Sequence, residues 1–163
     1  GADVILIPEI PYSIKSIVKH IEKIRQNGRN HALIVVAEAV KKENGKKALV
    51  KFPDGEVRLG GIGSYLGDEL SQLMKAEARV TVLGHLQRGA QPTHRDRLIA
   101  SAFGVYAVDL VAQKKFNRVV VWKNRTVQDV SLDKVAGHSQ TISIDDPLIK
   151  VAKGLGIYIG NIN

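Results

Sequence analysis

Two continuous apolar runs, separated by an amphipathic segment, constrain the fold of this chain more than any other feature. The runs are Val4 to Ile7 and His31 to Ala37, and their apolar character is typical of central strands in a parallel sheet. Between them, Ser13 is the predicted N-cap of a helix that runs to about Gln26 and carries isoleucines along one face. Because a strand, a helix and a strand within about thirty-five residues form a right-handed βαβ unit, the sequence predicts an α/β fold.

Turn and cap signals place the other elements. They are a hairpin of Ala48–Phe52 with Glu56–Leu59, a helix over Ser64–Lys75, a strand over Val80–Leu83, a helix over Arg95–Ala112, a hairpin of Arg118–Trp122 with Thr126–Val130, a short helix near Leu132–Ala136, a strand near Thr141–Ile144 and a helix opened by Asp146-Pro147. The side chains expected to pack inward from the helix over 95–112 are Leu98, Ala102, Val105 and residues 108–110. Gly104 in that helix suggests the close approach of another backbone. We see no linker and expect one compact domain over residues 1–163.

Glycines precede the helix that begins near Ser64. The stretch Gly60-Gly61-Ile62-Gly63-Ser64 could cradle a phosphate, because glycines before a helix let backbone amides approach an anion. It lacks the ending of a P-loop, and no suitable strand and acidic residue complete a dinucleotide site. We therefore assign these glycines to the turn into the helix.

Charge and cysteine content limit the possible functions. The formal net charge is +8, from 24 Lys plus Arg against 16 Asp plus Glu, which favours anionic partners. The lack of cysteine excludes disulfides and thiolate catalysis, and it fits a cytoplasmic protein. The apolar stretches are too short to span a membrane, and no histidine has a partner at metal-ligand spacing. Because the chain starts at Gly1 and enters a buried strand at once, we expect a piece of a longer protein.

The strongest functional signal is a strand that delivers a polar loop. The run Val80 to Leu83 ends at Gly84. The donors that follow are His85, Gln87 and Arg88. In an α/β sheet such a loop lies where ligands bind, and a helix opening near Thr93 points its amides back toward it. One interpretation is a phosphate or phospho-sugar site gripped by a guanidinium fork, and the other is a solvated basic loop.

This segment resembles the substrate-binding motif of the bacterial type of the 6-phosphofructokinase family. The shared pattern is Arg79, four residues, Gly84-His85, one residue, Gln87-Arg88-Gly89 and then Asp96-Arg97, with Ala90 where most members have a second glycine. The resemblance covers nearly the whole chain but only the carboxyl-terminal, substrate-binding half of the family's polypeptide. It implies a three-layer αβα arrangement with a mainly parallel, Rossmann-like sheet, as a fragment of a two-domain kinase.

The resemblance also implies how fructose 6-phosphate would be bound. The substrate-binding residues would be Glu38, Arg79, His85, Leu86, Gln87 and Arg88. Arg79 and His85 would hold the 6-phosphate, and Arg88 would bind the substrate and, as the catalytic residue, stabilise charge in the transition state. Glu38 would accept hydrogen bonds from sugar hydroxyls, although Ala39 stands where the family has a glycine.

Further implications of the resemblance concern the assembly and the cofactors. The family's residue at the position of Arg79 reaches into a neighbouring subunit, which implies a homo-oligomer, a dimer or a tetramer. ATP or pyrophosphate and magnesium would bind mainly outside this chain, because the donor loop, the magnesium-binding Asp and the catalytic base belong to the other half of the family's polypeptide. We expect the full-length protein to phosphorylate fructose 6-phosphate to fructose 1,6-bisphosphate in glycolysis, and the isolated chain to be inactive.

An effector site is the weakest of these implications. Bacterial members bind an ADP effector partly through residues that match Asp3, Asn27 and Arg29. Asn27 lacks the positive charge of the usual lysine, which weakens the case for allosteric control by a nucleotide.

Two other functions remain open from the sequence. The few aromatic residues are scattered, which counts against a basic nucleic-acid-binding module. Such a module would use as its phosphate-binding surface Lys41, Lys42, Lys46, Lys47, Lys114, Lys115 and Arg118. The other is a non-catalytic regulatory subunit with the same fold. Such a subunit would differ from the enzyme only in the half of the polypeptide that this chain does not include.

Overall fold

The structure combines α-helices with short β-strands. The computed structural model describes residues 1–51, 53–137 and 139–161. In chain order they are β1 (Val4–Leu6), α1 (Ile14–Gln26), β2 (Ile34–Val36), β3 (Leu49–Lys51), β4 (Val57–Leu59), α2 (Ile62–Met74), α3 (His94–Ala112), β5 (Arg118–Lys123), β6 (Thr126–Ser131) and α4 (Pro147–Gly154), with short 3-10 helices at Gly84–Arg88 and Leu132–Lys134. The combination of helices with parallel and antiparallel strand pairs confirms the predicted α/β fold.

The chain divides into two compact units. The first comprises residues 1–82 and the residues from 141 onward, and the second comprises residues 83–140. The expectation of a single domain over residues 1–163 stays a prediction.

The first unit is built on the predicted βαβ arrangement. β1 and β2 are parallel, with Val4 beside Ile34. α1 connects them, and Ser13 precedes α1 in an extended conformation, as predicted. On the other side of β1, the amide of Ile5 donates to the carbonyl oxygen of Tyr158 over 2.9 Å. The parallel pair therefore gains one further bridge from the distant part of the chain.

Two helices pack with this sheet to form the main core. Their buried residues are Ile14, Ile17 and Ile21 of α1 and Ile62, Leu66 and Leu70 of α2. Side chains three or four positions apart lie on one face of a helix, which explains why these residues are buried together. They cluster with Val4 and Leu6 of β1.

The first predicted hairpin is confirmed. β3 and β4 are antiparallel, with Leu49 opposite Leu59. Gly55 has a φ of +87°, and the carboxylate of Asp54 accepts a hydrogen bond from the Glu56 amide at 2.9 Å. These are local turn interactions of the kind that the Pro-Asp-Gly sequence predicts. Phe52, the predicted end of the first strand, lies outside the described residues.

The glycines before and within α2 serve a turn and close packing. Gly61 precedes α2 with a φ of +79°, which favours glycine. A Cβ added to Gly60 would lie 3.1 Å from Val50, and one added to Gly67 would lie 2.8 Å from Val80. These contacts support the assignment of the glycines to the turn rather than to a nucleotide loop.

The predicted strand over Val80–Leu83 is wrong. Residues 80–83 are not assigned to a strand, and they pair with none of the strands in the described residues. Val80 packs its methyl groups against Gly63 and Gly67 of α2, while Val82 is 77% exposed. A β-branched run becomes a strand only where a neighbouring strand satisfies its backbone groups, and the sequence pattern does not supply that neighbour.

The predicted strand near Thr141–Ile144 is wrong for a similar reason. The Ile142 amide donates to a side chain, the Glu9 carboxylate, at 3.1 Å instead of to a strand. Residues 143–146 then turn into α4, where the Asp146 carboxylate caps the helix by accepting from the Leu148 amide at 2.8 Å. The predicted start of α4 at Asp146-Pro147 is therefore confirmed.

The second unit packs α3 against a hairpin. β5 and β6 are antiparallel, as predicted, and the turn residues Asn124 and Arg125 both have positive φ. The Tyr106 hydroxyl of α3 donates to the Asp129 carboxylate of β6 at 2.8 Å, and Arg118 pairs with the same carboxylate. The helix is thus tied to the hairpin by hydrogen bonds as well as by apolar contact.

The predicted inward face of α3 is mostly wrong. Leu98, Val105 and Val108 are each more than 60% exposed, whereas Leu110 is buried as predicted and Ala102 is partly buried. The partly buried residues that share its side of the helix are Ile99, Phe103 and Tyr106. α3 is apolar on both faces, so the spacing of apolar residues could not select the face that meets the hairpin. Among the described residues, no atom lies within 4 Å of a Cβ added to Gly104, so the predicted close approach of a backbone there is also wrong for this part of the chain.

Candidate anion-binding site

The donor cluster lies on a short 3-10 helix, Gly84–Arg88, and not in a loop at the end of a strand. Gly84 begins it with a φ of +49°. Residues three positions apart eclipse each other in a 3-10 helix, so His85 and Arg88 project from the same side. His85 and Arg88 are both exposed. The helix therefore brings together an imidazole and a guanidinium that can donate to one anion.

Gly89 follows this short helix and closes its last turn. The Gly89 amide donates to the Leu86 carbonyl oxygen at 3.1 Å, and a Cβ on Gly89 would lie 3.3 Å from that oxygen. A side chain at 89 would crowd the turn, which explains the glycine at this position of the motif. Leu86 is 74% exposed, and Gln87 is exposed as well. The whole segment is accessible to a ligand.

α3 begins just after this segment with a capping box. The helix opens near Thr93, as predicted; Thr93 is its N-cap, and the Thr93 hydroxyl accepts from the Asp96 amide at 3.3 Å. The Asp96 carboxylate in turn accepts from the Thr93 amide and hydroxyl, each at 2.8 Å. These hydrogen bonds from Thr93 lower the pKa of Asp96. Asp96 of the motif is thus engaged in starting α3.

Arg79 belongs to the first unit and is highly exposed. Its guanidinium Nε donates to the Glu77 carboxylate at 2.8 Å, and both side chains are more than 70% exposed. The residue lies at the border of a cavity of about 410 Å³ whose apolar lining includes Leu66 and Met74. An exposed ion pair of this kind is weak, so the guanidinium can exchange Glu77 for another anion.

Glu38 lies where the sequence predicts it, in the turn that follows β2. The turn is closed by a hydrogen bond from the Val40 amide to the Ala37 carbonyl oxygen at 3.0 Å. Glu38 is exposed, at the carboxyl end of the parallel pair, where α/β proteins bind ligands. Ala39 does not have a positive φ, so this turn does not require the family's glycine.

Asp3 and Arg29, which were predicted to bind an effector, form a salt bridge with each other. The Arg29 guanidinium donates to both carboxylate oxygens of Asp3, at 2.7 and 2.9 Å, and the Leu33 amide donates to one of them at 2.8 Å. The hydrogen bonds from Arg29 and then from Leu33 lower the pKa of the Asp3 carboxyl. Asn27 ends α1 and donates its backbone amide to the Lys23 and Ile24 carbonyl oxygens. The three residues thus fasten the end of α1 and the start of β1.

Comparison with known proteins gives the chain its family. Residues 1–111 match the family described as Phosphofructokinase. The chain belongs to the phosphofructokinase family. The sequence-based resemblance is thereby confirmed.

Several phosphofructokinases are similar to most of this chain. It is 47% identical to ATP-dependent 6-phosphofructokinase 1 of Synechocystis over 99% of its length, covering 45% of that protein. The identity is 47% to ATP-dependent 6-phosphofructokinase 1 of Nostoc, with 98% of this chain and 45% of the relative covered. For ATP-dependent 6-phosphofructokinase 2 of Clostridium perfringens it is 39%, with 96% and 44% covered. The chain therefore spans about 45% of the length of these curated relatives.

A solved phosphofructokinase structure shares the fold. The T-state phosphofructokinase of Pichia pastoris superposes with a TM-score of 0.57 and 27% sequence identity, over 82% of this chain and 14% of the other.

Sequence reasoning missed a second cavity in this phosphofructokinase-family chain. It has a volume of about 250 Å³ and is lined by residues 7–12, residues 40–43 and Gly45, and we call it the Glu9 cavity. One signal could have revealed it. Glu9 is a carboxylate that follows a buried strand, as Glu38 does, and prolines at 8 and 11 fix the chain around it.

Within residues 1–51, 53–137 and 139–161, none of the helices is long and apolar enough to cross a membrane. The same ranges contain no cluster of three or more His, Asp or Glu side chains that could hold a metal ion.

Proposed function

We propose that the whole protein transfers a phosphoryl group from ATP to fructose 6-phosphate, giving fructose 1,6-bisphosphate, and that this chain carries the sugar-phosphate-binding half. The observation that carries the proposal is the 47% identity, over nearly the whole chain, to a protein named ATP-dependent 6-phosphofructokinase 1. That name favours ATP over pyrophosphate as the donor. With this glycolytic activity we propose a cytoplasmic location.

The 3-10 helix supplies the proposed phosphate contacts. His85 and Arg88 project from one side of it, which supports a joint role in binding the substrate. His85 would hold the 6-phosphate, and Arg88 would bind the substrate and neutralise charge that develops in the transition state. Leu86 and Gln87, exposed on the same helix, would complete the contacts.

Glu38 and Arg79 would bind other parts of the sugar phosphate. The exposed Glu38 carboxylate can accept hydrogen bonds from sugar hydroxyls. The Arg79 side chain is 85% exposed, which leaves it able to reach the 6-phosphate of a sugar bound to a neighbouring subunit. The proposed enzyme is therefore a homo-oligomer, a dimer or tetramer, with sites shared between subunits.

Magnesium and the phosphoryl donor would bind mainly outside this chain. The glycines before α2 do not offer a donor loop, because Val50 packs against Gly60 and Gly61. The chain would position the acceptor, while the rest of the protein supplies the donor site and the base.

The effector assignment of Asp3, Asn27 and Arg29 gives way to a structural one in this proposal. The Asp3 carboxylate is 10% exposed and bonded to Arg29 and Leu33. An effector would have to break these bonds to use either charge. We propose that these residues fasten β1 to α1.

The test uses single substitutions in the full-length protein. His85→Ala and Arg88→Ala each remove a charge-assisted hydrogen bond, so we expect kcat/KM for fructose 6-phosphate to fall by about tenfold to a hundredfold. Arg125→Asn is the control, because it removes an exposed arginine from the β5-β6 turn and asparagine tolerates its positive φ. Steady-state kinetics with varied fructose 6-phosphate measures the effect. Unchanged kinetics in both alanine variants would refute the assignment.

A further inference from the structure

We propose that the Glu9 cavity binds a small anion that carries a hydroxyl group. The cavity lies at the carboxyl ends of β1 and β2, beside the loops 7–12 and 40–45. Glu38, Arg79 and residues 84–88 are not among its lining residues. These include the residues assigned above to fructose 6-phosphate.

Two residues that line the cavity each carry a buried polar atom without a hydrogen-bond partner among the described residues. One carboxylate oxygen of Glu9 accepts from the Ile142 amide at 3.1 Å, but the other, Oε2, is buried and has no hydrogen-bond partner among the described residues. Tyr12 is 9% exposed, and its hydroxyl oxygen is likewise buried without a partner in that part of the chain. Because nearly all buried polar groups in proteins are hydrogen-bonded, two such atoms on residues that line one cavity indicate a bound molecule.

The chemistry of the two groups selects a hydroxyl. Burial, followed by the nearby Tyr65, Glu43 and Glu69, raises the pKa of Tyr12 to about 12, so its hydroxyl keeps its proton and can donate. The Glu9 carboxylate can only accept. A hydroxyl group of a ligand can donate to the Glu9 carboxylate and accept from the Tyr12 hydroxyl.

Two lysines in the cavity lining can bind an anionic group of the ligand. Lys41 and Lys42 line the cavity together with Glu43. The Glu43 carboxylate is already engaged, because it accepts from the Ile14 amide at the start of α1 at 3.0 Å. The ammonium of Lys42 lies 5.1 Å from the centre of the Tyr65 ring. The two lysines are thus suited to a phosphate or carboxylate group on the ligand.

The walls of the cavity are fixed before any ligand binds. Pro8 and Pro11 stiffen one wall, and the Pro11 carbonyl oxygen accepts from the Asn161 amide at 2.7 Å. In the other wall, the Lys42 amide donates to the Lys46 carbonyl oxygen at 2.9 Å and the Gly45 amide donates back to the Lys42 carbonyl oxygen at 2.8 Å. A volume of about 250 Å³ is small for a ligand pocket, so the ligand has only a few carbon atoms.

Calorimetric titration of the full-length protein with glycerol 3-phosphate tests the proposal, with saturating fructose 6-phosphate present to fill the sugar-phosphate site. We expect saturable binding of glycerol 3-phosphate and at least about tenfold weaker binding of glycerol or inorganic phosphate, each of which offers half of the contacts. Glu9→Gln and Tyr12→Phe should each weaken the binding of glycerol 3-phosphate about tenfold. Glu22→Gln, on the exposed side of α1, is the matched charge control and should bind like the parent.

A stability measurement separates lost binding from lost folding. The Tyr12 hydroxyl has no partner to lose within the described residues, so Tyr12→Phe should keep the melting temperature of the parent. Tyr106→Phe should lower it, because the Tyr106 hydroxyl donates to Asp129. No saturable binding at millimolar glycerol 3-phosphate, or equal binding by the parent, Glu9→Gln and Tyr12→Phe proteins, would overturn the proposal. Kinetics that still respond to His85→Ala would leave the proposed kinase function standing in that case.

Discussion

Asp3 has a structural role, although the sequence resemblance suggests that it binds a ligand. Its carboxylate is nearly buried, and it accepts hydrogen bonds from Arg29 and from the Leu33 amide. A buried carboxylate is tolerated only when it is paired in this way. The residue therefore ties the start of β1 to the loop that leads into β2.

The low pKa of Asp3 predicts a dependence of stability on pH. A carboxyl with a lowered folded-state pKa adds stability above its ordinary value of 3.8, and this stability is lost as the pH falls through the folded-state pKa. Asp3→Asn should therefore lower the melting temperature at pH 7, and the difference from the parent should shrink below pH 3.8. Thermal unfolding monitored by circular dichroism at a series of pH values measures this. Asp68→Asn, on the exposed side of α2, is the control, and an Asp3→Asn deficit that persists in acid would contradict the prediction.

Two helices of the chain carry interior glycines, and their surroundings differ. Gly67 of α2 packs under Val80, where an added Cβ would lie 2.8 Å from a methyl group. Gly104 of α3 has open space around it. A helix gains stability when alanine replaces glycine, provided that the methyl group fits. The helix propensity of alanine sets how much stability the substitution can add. The packing around each glycine decides whether the protein gains that stability.

These glycines give a matched pair of substitutions. Gly104→Ala should raise the free energy of unfolding by roughly 0.5–1 kcal/mol through helix propensity. Gly67→Ala should instead lower it by about 1 kcal/mol or more, because the methyl group displaces Val80. Urea denaturation of both variants measures the two values. An equal gain in both would show that Val80 does not pack tightly on α2.

The molecule as a whole combines a compact core with extensive exposed apolar surface. The core of the first unit encloses Val4, Leu6 and Ile17, whereas Leu98 and Val105 of the second unit are largely exposed. The chain spans about 45% of the length of its phosphofructokinase relatives. The proposed catalysis thus depends on more of the protein than the present residues.

The proposed division of labour predicts the behaviour of the isolated chain. Expressed alone, the 163 residues should show no phosphoryl transfer from ATP to fructose 6-phosphate, because we propose that the donor site lies in the rest of the protein. The full-length protein should be active under the same conditions. A coupled assay of ADP release compares the two. Turnover by the chain alone would refute the proposed division.

Local signals determined much of this protein from the sequence. The βαβ unit, both hairpins and the starts of α3 and α4 follow from apolar runs, turn residues and caps, whose hydrogen bonds are made within a few residues. His85 and Arg88 were predicted as site residues through the resemblance of their motif to the phosphofructokinase pattern.

Only the tertiary structure decided the features that depend on distant partners. Val80–Leu83 and Thr141–Ile144 have the composition of strands but are not paired, and α3 turns its Leu110 side to the hairpin because that neighbour exists there. The pairing of Asp3 with Arg29, 26 positions apart, and the convergence of residues 7–12 and 40–45 on one cavity are likewise set by the packing of β1 beside β2. A sequence specifies what each segment can bond locally, while burial and long-range pairing depend on which surfaces the folded chain brings together.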